Sequence, residues 1–393
     1  MSNKKAICLA TMASNLDNFN RNNVKILQEL GYDVTLASNF RTTEDTNSQE
    51  KIDLFSNEMK QEGVHIEQVD FTRKIGNIKG HVRSYKQVKE LFKQHFDIIH
   101  CHSPICAAIT RLCAKKYRKE GTKVYYTAHG FHFYDGAPIK NWIMYYPAEK
   151  WLSKYTDVLI TINKEDCKRA RAKFKAAKTV YVPGVGVDTN RFGSFARRKE
   201  IRMELGIADS DKLLLSVGEL NSNKNHEVVI RALSRMNELG ELPSNVYYFI
   251  AGIGDKEKDL NKLIKEKKME DRIKLIGYRS NISDYYASAD VFVFPSFREG
   301  LSMSLMEAMA CGLPVACSKI RGNTDLIDEM GGVFLNPGNI DSVSDALMEV
   351  LVLDKEKAGN HNREKIKGFD VEVVKKIMYD LYSDTPTCKY TNV

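Results

Sequence analysis

The chain has 393 residues, of which 43% are hydrophobic and 28% are charged, proportions typical of a globular protein large enough for two domains. No apolar run approaches the roughly 18–20 residues that cross a bilayer, which argues against a membrane-spanning protein. The formal net charge of +8 is uneven: residues 1–182 carry 30 Lys and Arg against 19 Asp and Glu, or +11, and the remainder carries −3. The basic first half predicts an anionic partner, either a membrane surface, a lipid pyrophosphate or nucleic acid.

The first half alternates short apolar runs with amphipathic stretches. Strands are predicted at residues 5–10, 33–37, 97–100, 124–128, 157–161 and 179–182. Helices are predicted between them at residues 18–30, 82–95, 105–120, 141–155 and 164–173. Such alternation is typical of a parallel sheet covered by helices. The segment 6–10 is too short for the apolar part of a signal peptide, so we expect a cytoplasmic protein.

Cysteine and histidine usage favours no metal site. The eight cysteines form no C-x-x-C pair and are expected to be reduced and mostly buried. His100 and His102 flank Cys101 on a predicted strand, and only these two histidines could share a face. Packing at the strand end is the preferred interpretation, and no metal or other cofactor is expected.

The alternation stops at Pro183-Gly184-Val185-Gly186 and then restarts. Strands are predicted at residues 213–217, 246–251, 273–276, 291–294 and 313–317, and helices at 227–239, 256–268, 282–288 and around Glu307. The fold class predicted is α/β, with two tandem Rossmann-like doubly wound domains facing across a ligand cleft. The predicted organisation is a domain at 1–185, a linker at 186–208, a domain at 209–370, and a helix with tail at 371–393 that packs back on the first domain.

Residues 298–315 are the most informative segment. Glu299 precedes a Gly-Leu turn, and Glu307 lies on the helix that follows. Free backbone N–H groups at a helix start bind phosphate, and carboxylates accept hydrogen bonds from hydroxyls. The pattern therefore favours a ligand with both a phosphate and a polyol, over the alternative of an ordinary N-capped helix.

Other motifs are weaker. Gly218 and Lys224 lie in a loop after a strand, where a lysine could meet a phosphate or simply be solvated. Gly252-Ile253-Gly254 lacks the full G-x-G-x-x-G pattern and fits a tight turn better. Residues 127–134, which include His129, fit either a sugar subsite or a packed aromatic loop. The basic stretch 164–178 fits a solvated helix face first, a membrane contact second and nucleic acid third.

Taken together, these motifs resemble the family 4 retaining glycosyltransferases of the GT-B fold. The resemblance is carried by the Glu299-x7-Glu307 segment, the Gly218…Lys224 loop, Gly252-Ile253-Gly254, residues 277–290 and Gly186-Val187-Asp188…Phe192. Residues 127–133, 141–142 and 157–166 are similar to the bacterial capsule and exopolysaccharide subgroup.

The resemblance implies a role for each matching residue. Catalytic roles fall on His129, Glu299 and Lys224. The implied donor-binding residues are Gly218, Asn223, Gly252, Tyr278, Arg279, Arg298, Gly300, Leu301, Ser302, Ser304 and Glu307. Among them Glu307 would bind the ribose and residues 300–304 the diphosphate, with Lys224 neutralising it. Asn15, Asp17 and His132 would lie on the acceptor side.

Two departures from the family pattern stand out. The arginine usually found after the glycine at Gly218 is replaced by Glu219, so the diphosphate clamp rests on Lys224 alone or recruits Arg298 or Arg279. Residues 11–18 lack the common glycine pair, which leaves Asn15 or Asp17 to take that part.

The implied function is transfer of a hexosyl or N-acetylhexosaminyl group from a nucleotide diphosphate sugar, with UDP the favoured nucleotide. The acceptor would be a lipid-linked saccharide in surface polysaccharide biosynthesis, met at the inner membrane surface through the basic N-terminal domain. A peripheral position on the cytoplasmic face is expected, and no nucleic acid partner. A nucleotide-sugar epimerase of the same fold and a non-catalytic sugar-nucleotide-binding partner remain as alternatives.

Overall fold

The structure, a computed structural model, describes residues 4–41, 44–45, 47–193 and 197–384. The chain divides into two compact units. The first unit comprises residues 1–185 and 374–393, and the second comprises residues 186–373.

The first unit is built on a parallel sheet of seven strands. They are β1 (Lys4–Met12), β2 (Tyr32–Asn39), β3 (His65–Gln68), β4 (Ile98–His102), β5 (Lys123–Ala128), β6 (Val158–Thr161) and β7 (Lys178–Tyr181). Their order is β3-β2-β1-β4-β5-β6-β7, so the winding reverses between β1 and β4. In the register, Cys8 lies opposite His100, and His100 lies opposite Tyr125. Loops at the carboxyl ends of β1 and β4 therefore border the crevice where doubly wound sheets bind ligands.

Six helices connect these strands. They are α1 (Ala13–Glu29), α2 (Gln49–Gln61), α3 (Ile78–Leu91), α4 (Pro104–Arg118), α5 (Ile139–Leu152) and α6 (Lys164–Lys173). The sequence patterns predicted neither α2 nor β3. Helix α2 is mostly polar and buries Ile52, Phe55 and Met59 as its apolar contacts, which is a weak periodic signal. Helix α1 begins at Ala13, five residues before the prediction, because β1 runs directly into it.

The second unit contains a parallel sheet of six strands. They are β8 (Lys212–Val217), β9 (Val246–Ala251), β10 (Ile273–Gly277), β11 (Val291–Phe294), β12 (Val315–Ser318) and β13 (Gly332–Leu335). The order β10-β9-β8-β11-β12-β13 reverses between β8 and β11. Its helices are α7 (Arg198–Leu205), α8 (His226–Glu238), α9 (Glu257–Glu266), α10 (Ile282–Ser288), α11 (Met303–Ala310), α12 (Asn323–Leu326), α13 (Ile340–Val352) and α14 (Lys355–Ile366). The predicted α/β class with two doubly wound sheets is confirmed.

Residues 186–208 differ from the linker expected of them. In their described part, α7 buries Ile201 and Leu205 in the core of the second unit. Arg202, 1% exposed, donates to the Asp290 carboxylate at 3.1 Å and to the Ser288 carbonyl at 2.9 Å. Helix α7 is therefore an integral part of this unit. The polar sequence of α7 gives little sign that the helix is packed in the core, because one of its buried residues is an arginine.

The last described helix, α15 (Val371–Tyr382), begins in the second unit and ends in the first. The Tyr382 hydroxyl lies 2.6 Å from His100 Nδ1, and the Tyr125 hydroxyl donates to the Leu381 carbonyl at 2.8 Å. The end of α15 is thus fixed against strands β4 and β5. Within the described ranges, no helix is both long and apolar enough to span a bilayer.

Candidate functional site

In the second unit, the loops that follow β8 and β11 meet at the point where the strand order reverses. The Phe297 N–H donates to the Asn223 carbonyl at 2.9 Å, and the Asn223 amide donates to the Arg298 carbonyl at 2.9 Å. Both loops leave the carboxyl ends of adjacent strands, and open α/β sheets bind ligands in the crevice at such a reversal point. Two regions 75 residues apart in sequence therefore form one surface.

Lys224 and Glu299 form an ion pair on this surface. The Lys224 ammonium lies 2.8 Å from Glu299 Oε1, with side-chain exposures of 18% and 13%. The same ammonium lies 4.8 Å from the centre of the Phe294 ring. A cation and a carboxylate are thus held side by side with limited access to water, which strengthens their interactions with a ligand. The carbonyl of Glu299 also accepts from Arg321 Nε at 3.2 Å.

Glycine is required where backbone segments touch at this edge of the sheet. A Cβ on Gly252, which follows β9, would lie 1.8 Å from the Gly218 carbonyl oxygen. A Cβ on Gly322 would lie 2.3 Å from the Gly300 carbonyl oxygen. Both predicted donor-binding glycines after β8 and β9, Gly218 and Gly252, are therefore in direct backbone proximity.

The start of helix α11 presents unused hydrogen-bond donors. Ser302 is the N-cap, and its hydroxyl accepts from the Leu305 N–H at 3.4 Å and lies 3.0 Å from the Ser304 hydroxyl. Within the part of the chain that the structure describes, the backbone N–H groups of residues 300–304, which include Leu301, have no hydrogen-bond acceptor. Consecutive free N–H groups at a helix start form an anion site, since the helix dipole adds to their attraction.

Glu307, one turn further along α11, is held by Tyr286. The Tyr286 hydroxyl lies 3.0 Å from Glu307 Oε2 and 3.1 Å from the Ser304 carbonyl. Burial raises the pKa of Glu307, while the hydrogen bond from Tyr286 and the charge of Arg191 oppose that rise. The carboxylate is therefore oriented but incompletely satisfied, a suitable acceptor for a sugar diol.

The remaining predicted donor-side residues lie at the rim. Tyr278 is 64% exposed, and Arg279 after β10 places its guanidinium 5.5 Å from the centre of the Tyr285 ring. Arg279 Nε is buried and has no partner among the residues described. Arg298 and Glu219 are exposed. The position after Gly218 is thus occupied by an exposed acid.

The first unit has a cavity of about 410 Å³ at its own reversal point. Its lining includes Asn15 from the β1–α1 junction, Ser103 before α4, and His129, Gly130 and His132 after β5. The Asn15 amide donates to the Ser103 hydroxyl at 2.9 Å. His132 stacks on Tyr145 with ring centres 4.4 Å apart. Two of the three predicted acceptor-side residues, Asn15 and His132, therefore lie in one cavity.

Asp17 lies elsewhere, beside a second cavity of about 250 Å³ that it shares with His102 and His129. Its carboxylate accepts from Arg21 Nε at 2.6 Å. His129 lines both cavities and packs against Phe19 with ring centres 4.5 Å apart. Burial lowers the pKa of His129 to about 4, so its imidazole is neutral near pH 7.

No group of three or more His, Cys, Asp or Glu side chains is arranged to hold a metal ion in the described ranges. Seven cysteines are free and buried there, and Cys388 falls outside those ranges. His100, considered for a metal on sequence grounds, instead bonds the hydroxyls of Tyr382 and Thr127 at 2.6 and 2.8 Å.

Several site residues were not identified from the sequence. Phe294 packs against the Lys224 ammonium, and Arg321 donates to the Glu299 backbone carbonyl. Tyr286 bonds the Glu307 carboxylate, and Ser103 accepts from the Asn15 amide. Ser103 has a φ of +64°, unusual for a residue other than glycine, and this conformation leaves no trace in the sequence. Tyr286 could have been identified, because it lies in residues 277–290, one of the segments on which the family resemblance was based.

Comparison with known proteins identifies two family profiles along the chain. Residues 18–191 match the profile described as "Glycosyltransferase Family 4", and residues 197–366 match "Glycosyl transferases group 1". Together the two profiles cover nearly all of both structural units. The first profile spans β2 to β7 of the first sheet and leaves out β1, and the second spans α7 to α14.

Individual proteins are similar over most of the chain. EpsD of Bacillus subtilis (strain 168), whose name calls it a glycosyltransferase without giving a substrate, is 36% identical over 306 residues, covering 76% of this chain and 80% of that protein. A "UDP-Gal:alpha-D-GlcNAc-diphosphoundecaprenol alpha-1,3-galactosyltransferase" of Escherichia coli is 29% identical over 329 residues, covering 79% and 80%. The structure of Anabaena Alr3699/HepE in complex with UDP and glucose has a TM-score of 0.74 at 17% identity, covering 96% and 99%.

Proposed function

Because the chain belongs to the family 4 glycosyltransferases and has the GT-B fold, we propose that it transfers a sugar from a UDP-sugar to a lipid-linked saccharide with retention of anomeric configuration. The second unit binds the donor, and the first unit binds the acceptor in the cavity that contains Asn15 and His132. The product is an intermediate of surface polysaccharide synthesis.

One observation carries this proposal: Lys224 pairs with Glu299, the residue that directly precedes the free N–H groups of residues 300–304 at the carboxyl edge of the sheet. These donors are preorganised for a diphosphate, whose negative charge grows as the bond to the sugar breaks. Removing one such donor from an active site typically costs about 3–4 kcal/mol of transition-state stabilisation. Stabilisation of the leaving group therefore supplies much of the proposed catalysis.

In the proposed reaction, the bond between the sugar C1 and the diphosphate oxygen breaks, and a bond between C1 and the acceptor oxygen forms on the same face. The acceptor hydroxyl gives its proton to the departing phosphate oxygen. Glu299, already paired with Lys224, binds sugar hydroxyls rather than attacking C1. Glu307 accepts the ribose hydroxyls, and Tyr286 keeps its carboxylate oriented.

The choice of UDP and of a lipid-linked acceptor is supported by the names of similar proteins. The Escherichia coli relative is named for a UDP-galactose donor and a diphosphoundecaprenol-linked acceptor, and the HepE structure contains UDP.

A two-step experiment tests the function. Titration calorimetry with UDP, GDP and ADP in metal-free buffer should show selective UDP binding that is lost in Glu307→Ala. Labelled UDP-sugars are then incubated with undecaprenyl diphosphate-linked saccharides, and transfer of label to lipid is measured. Absence of binding to all three nucleotides would refute the donor site. Conversion of the UDP-sugar to an epimer without acceptor would favour the epimerase alternative instead.

We also propose that the first unit docks on an anionic membrane through exposed side chains of α3 and α5, here together called the apolar–basic face. Ile78 and Val82 on α3 and Ile139, Ile143 and Met144 on α5 are at least half exposed, with Ile139 at 77%. Exposed cations alternate with them, at Lys79, Arg83, Lys86 and Lys140. Apolar side chains that enter the acyl boundary and cations that meet anionic headgroups are the signature of an interfacial surface.

The apolar–basic face adjoins the acceptor cavity. Ile75, three residues before α3, and Tyr145 of α5 both line the 410 Å³ cavity. A lipid-linked saccharide could therefore keep its lipid in the membrane while its sugar enters the first unit. The expected position on the cytoplasmic face of the membrane remains a prediction.

Vesicle sedimentation tests the docking face. Wild-type protein should bind phosphatidylglycerol vesicles better than phosphatidylcholine vesicles, and salt should weaken that binding. The double variant Ile139→Glu, Ile143→Glu should bind at least about tenfold less tightly, since burying charge at a bilayer interface is unfavourable. Val352→Glu, at an 80% exposed position in the second unit, serves as the matched control. Equal binding by the double variant and the wild type would contradict this face.

A further inference from the structure

Three histidines meet at the carboxyl end of β4 and β5 in the first unit. His102 Nδ1 lies 3.0 Å from His129 Nε2, with ring centres 5.3 Å apart. At that distance the two nitrogens share a hydrogen bond, so one ring donates and the other accepts. His100 is the third ring, packed 4.2 Å from His102 by ring centres, but both of its nitrogens are already bonded to hydroxyls.

Both members of the His102–His129 pair are neutral near pH 7. Burial, together with the neighbouring His100 and His129, lowers the pKa of His102 well below its ordinary value. Burial likewise lowers the pKa of His129 to about 4. Each neutral ring carries one hydrogen on its two nitrogens, and a single hydrogen lies between His102 Nδ1 and His129 Nε2.

The surroundings of His102 decide which ring donates. Its other nitrogen, Nε2, is buried and has no hydrogen-bond partner in the described part of the chain. If His129 donated, His102 would carry its own hydrogen on Nε2, as a buried N–H without an acceptor. The opposite arrangement leaves only an unused lone pair on Nε2, which is the more tolerated defect in protein interiors.

We propose that His102 is a positioning residue that donates from Nδ1 to His129 Nε2 and thereby fixes His129 as the tautomer with its hydrogen on Nδ1. His129 then offers an Nδ1–H donor to an oxygen atom of the bound saccharide or its phosphate at the cavities it lines. That Nδ1 makes no hydrogen bond to the residues described. The proposed role in turnover rests on the proposed glycosyl transfer, whereas the tautomer itself does not.

Packing limits the alternatives for His129. Phe19 lies against its ring with centres 4.5 Å apart, which resists a flip that would exchange its two nitrogens. The tautomer selected by His102 therefore determines whether a ligand meets a donor or an acceptor. A ligand hydroxyl could adapt to either, but a phosphate or a ring oxygen can bind only to a donor.

Nitrogen NMR of the full-length protein tests the tautomer directly. With ¹⁵N-labelled histidine, the ring nitrogens of the nine histidines are recorded, and the His129→Gln spectrum assigns His129. In the wild type we expect hydrogen on His129 Nδ1 and none on Nε2. His102→Asn, whose amide takes the place of ring Nδ1, should keep this state, and His102→Leu should give a mixture of tautomers. Hydrogen on His129 Nε2 in the wild type would overturn the proposal.

Kinetics provide the second readout. His102→Leu should lower turnover about tenfold, because the hydrogen bond that fixes the His129 tautomer is lost. A tenfold change corresponds to roughly 1.4 kcal/mol of activation free energy. His102→Asn should restore turnover to within about threefold, and UDP affinity should be unchanged in both, because the nucleotide binds the second unit. A pure tautomer in folded His102→Leu would also overturn the proposal. If no transfer is detected with any donor, the proposed function fails while the NMR result still decides the tautomer.

Discussion

The Lys224 ammonium lies 2.8 Å from a carboxylate oxygen of Glu299, on loops that leave two adjacent strands of the second sheet. The two charges neutralise each other in the absence of ligand. Under the proposed function, a bound diphosphate would draw the ammonium partly away from the carboxylate, so Glu299 would lower the affinity for the nucleotide product while it binds hydroxyls of the donor sugar. This arrangement would separate the effects of mutation on binding from those on turnover.

We predict that Glu299→Gln lowers turnover at least about tenfold, or roughly 1.4 kcal/mol, while UDP binds more tightly than to the wild type. The amide can still bond a hydroxyl but no longer holds the Lys224 charge. Lipid-transfer assays and calorimetry measure the two effects. Glu227→Gln, in the exposed Glu227–Arg231 pair of α8, should change neither. Turnover within about threefold of the wild type would argue against this role for Glu299.

Nucleotide affinity should depend on the ionisation of Glu307. Burial raises the pKa of this carboxyl, so on acidification it gains a proton earlier than an exposed glutamate would. A protonated Glu307 has less capacity to accept ribose hydroxyls, and UDP affinity should fall as the pH drops through this raised pKa. Calorimetry across acidic pH measures the shift, and a UDP affinity that stays constant over that range would contradict this role of Glu307.

Tyr286→Phe should move that loss of affinity to higher pH. The Tyr286 hydroxyl bonds Glu307 Oε2 at 3.0 Å and favours its ionised form, so its removal raises the pKa of Glu307 further. Affinity at neutral pH should fall by roughly fivefold, as for loss of one hydrogen bond of about 1 kcal/mol. Tyr248→Phe removes a buried tyrosine hydroxyl bonded to Ser216 and is the control. An unshifted pH profile in Tyr286→Phe would show that the two groups are not coupled.

Asp290 is predicted to be the main electrostatic support of the second unit. Its carboxylate accepts from Lys355 at 2.7 Å, Arg198 at 2.9 Å and the Leu213 N–H at 2.9 Å. Burial alone would raise the pKa of Asp290, but these partners prevail and lower it to about 2. Asp290→Asn should cost about 3 kcal/mol of unfolding free energy, because it removes the carboxylate that pairs with the buried Arg202 and with the partly exposed Arg198 and Lys355.

The pH dependence of stability gives an independent check on Asp290. Because its folded pKa is below the unfolded value of about 3.9, its contribution is present above that pH and lost as the pH falls through about 2. The stability difference between the wild type and Asp290→Asn should therefore shrink in that range, as measured by urea unfolding. Asp259→Asn, in an exposed pair with Lys256, should leave the midpoint unchanged. A constant difference down to the lowest accessible pH would refute this assignment.

Gly252→Ala should disrupt the donor site through the backbone. The new Cβ would lie 1.8 Å from the Gly218 carbonyl oxygen, so the loops after β8 and β9 must separate. We expect a loss of about 2 kcal/mol of stability from overpacking and weaker UDP binding. Gly240→Ala places a Cβ in open space at a φ of +73° and controls for backbone strain alone. Equal effects of the two substitutions would show that the contact is not restrictive.

The sequence allowed prediction of elements whose signal is local. Strands such as β8 and β11 contain short apolar runs, and Glu299 and Glu307 lie on a loop and on the helix that follows it. Helix α2 and strand β3 were missed because their polar residues outnumber their core contacts. Helix α7 was taken for part of a linker, since its buried Arg202 is held in the core by hydrogen bonds to Asp290 and Ser288 that the sequence does not reveal.

Contacts between side chains on different strands or loops could not be predicted from the sequence. Lys224 and Glu299 are 75 residues apart, and His102 and His129 are 27 apart. The first pair was assigned to the donor site by family resemblance, but its members were not expected to neutralise each other. The second pair depends on parallel register between β4 and β5, which places the two strand ends together. Contacts of this kind depend on topology, and a single sequence carries no pattern that reports them.

Helix α15 has a consequence for how the chain folds as it is synthesised. Its final residues, Leu381 and Tyr382, complete the first unit by bonding Tyr125 and His100, whereas the second unit ends at residue 373. During synthesis the first unit cannot be completed until α15 has left the ribosome. The second unit, which ends at residue 373, can form its core before then. Nascent chains that end at residue 373 should therefore contain a finished second unit beside a first unit in which Tyr125 and His100 still lack their bonds to α15.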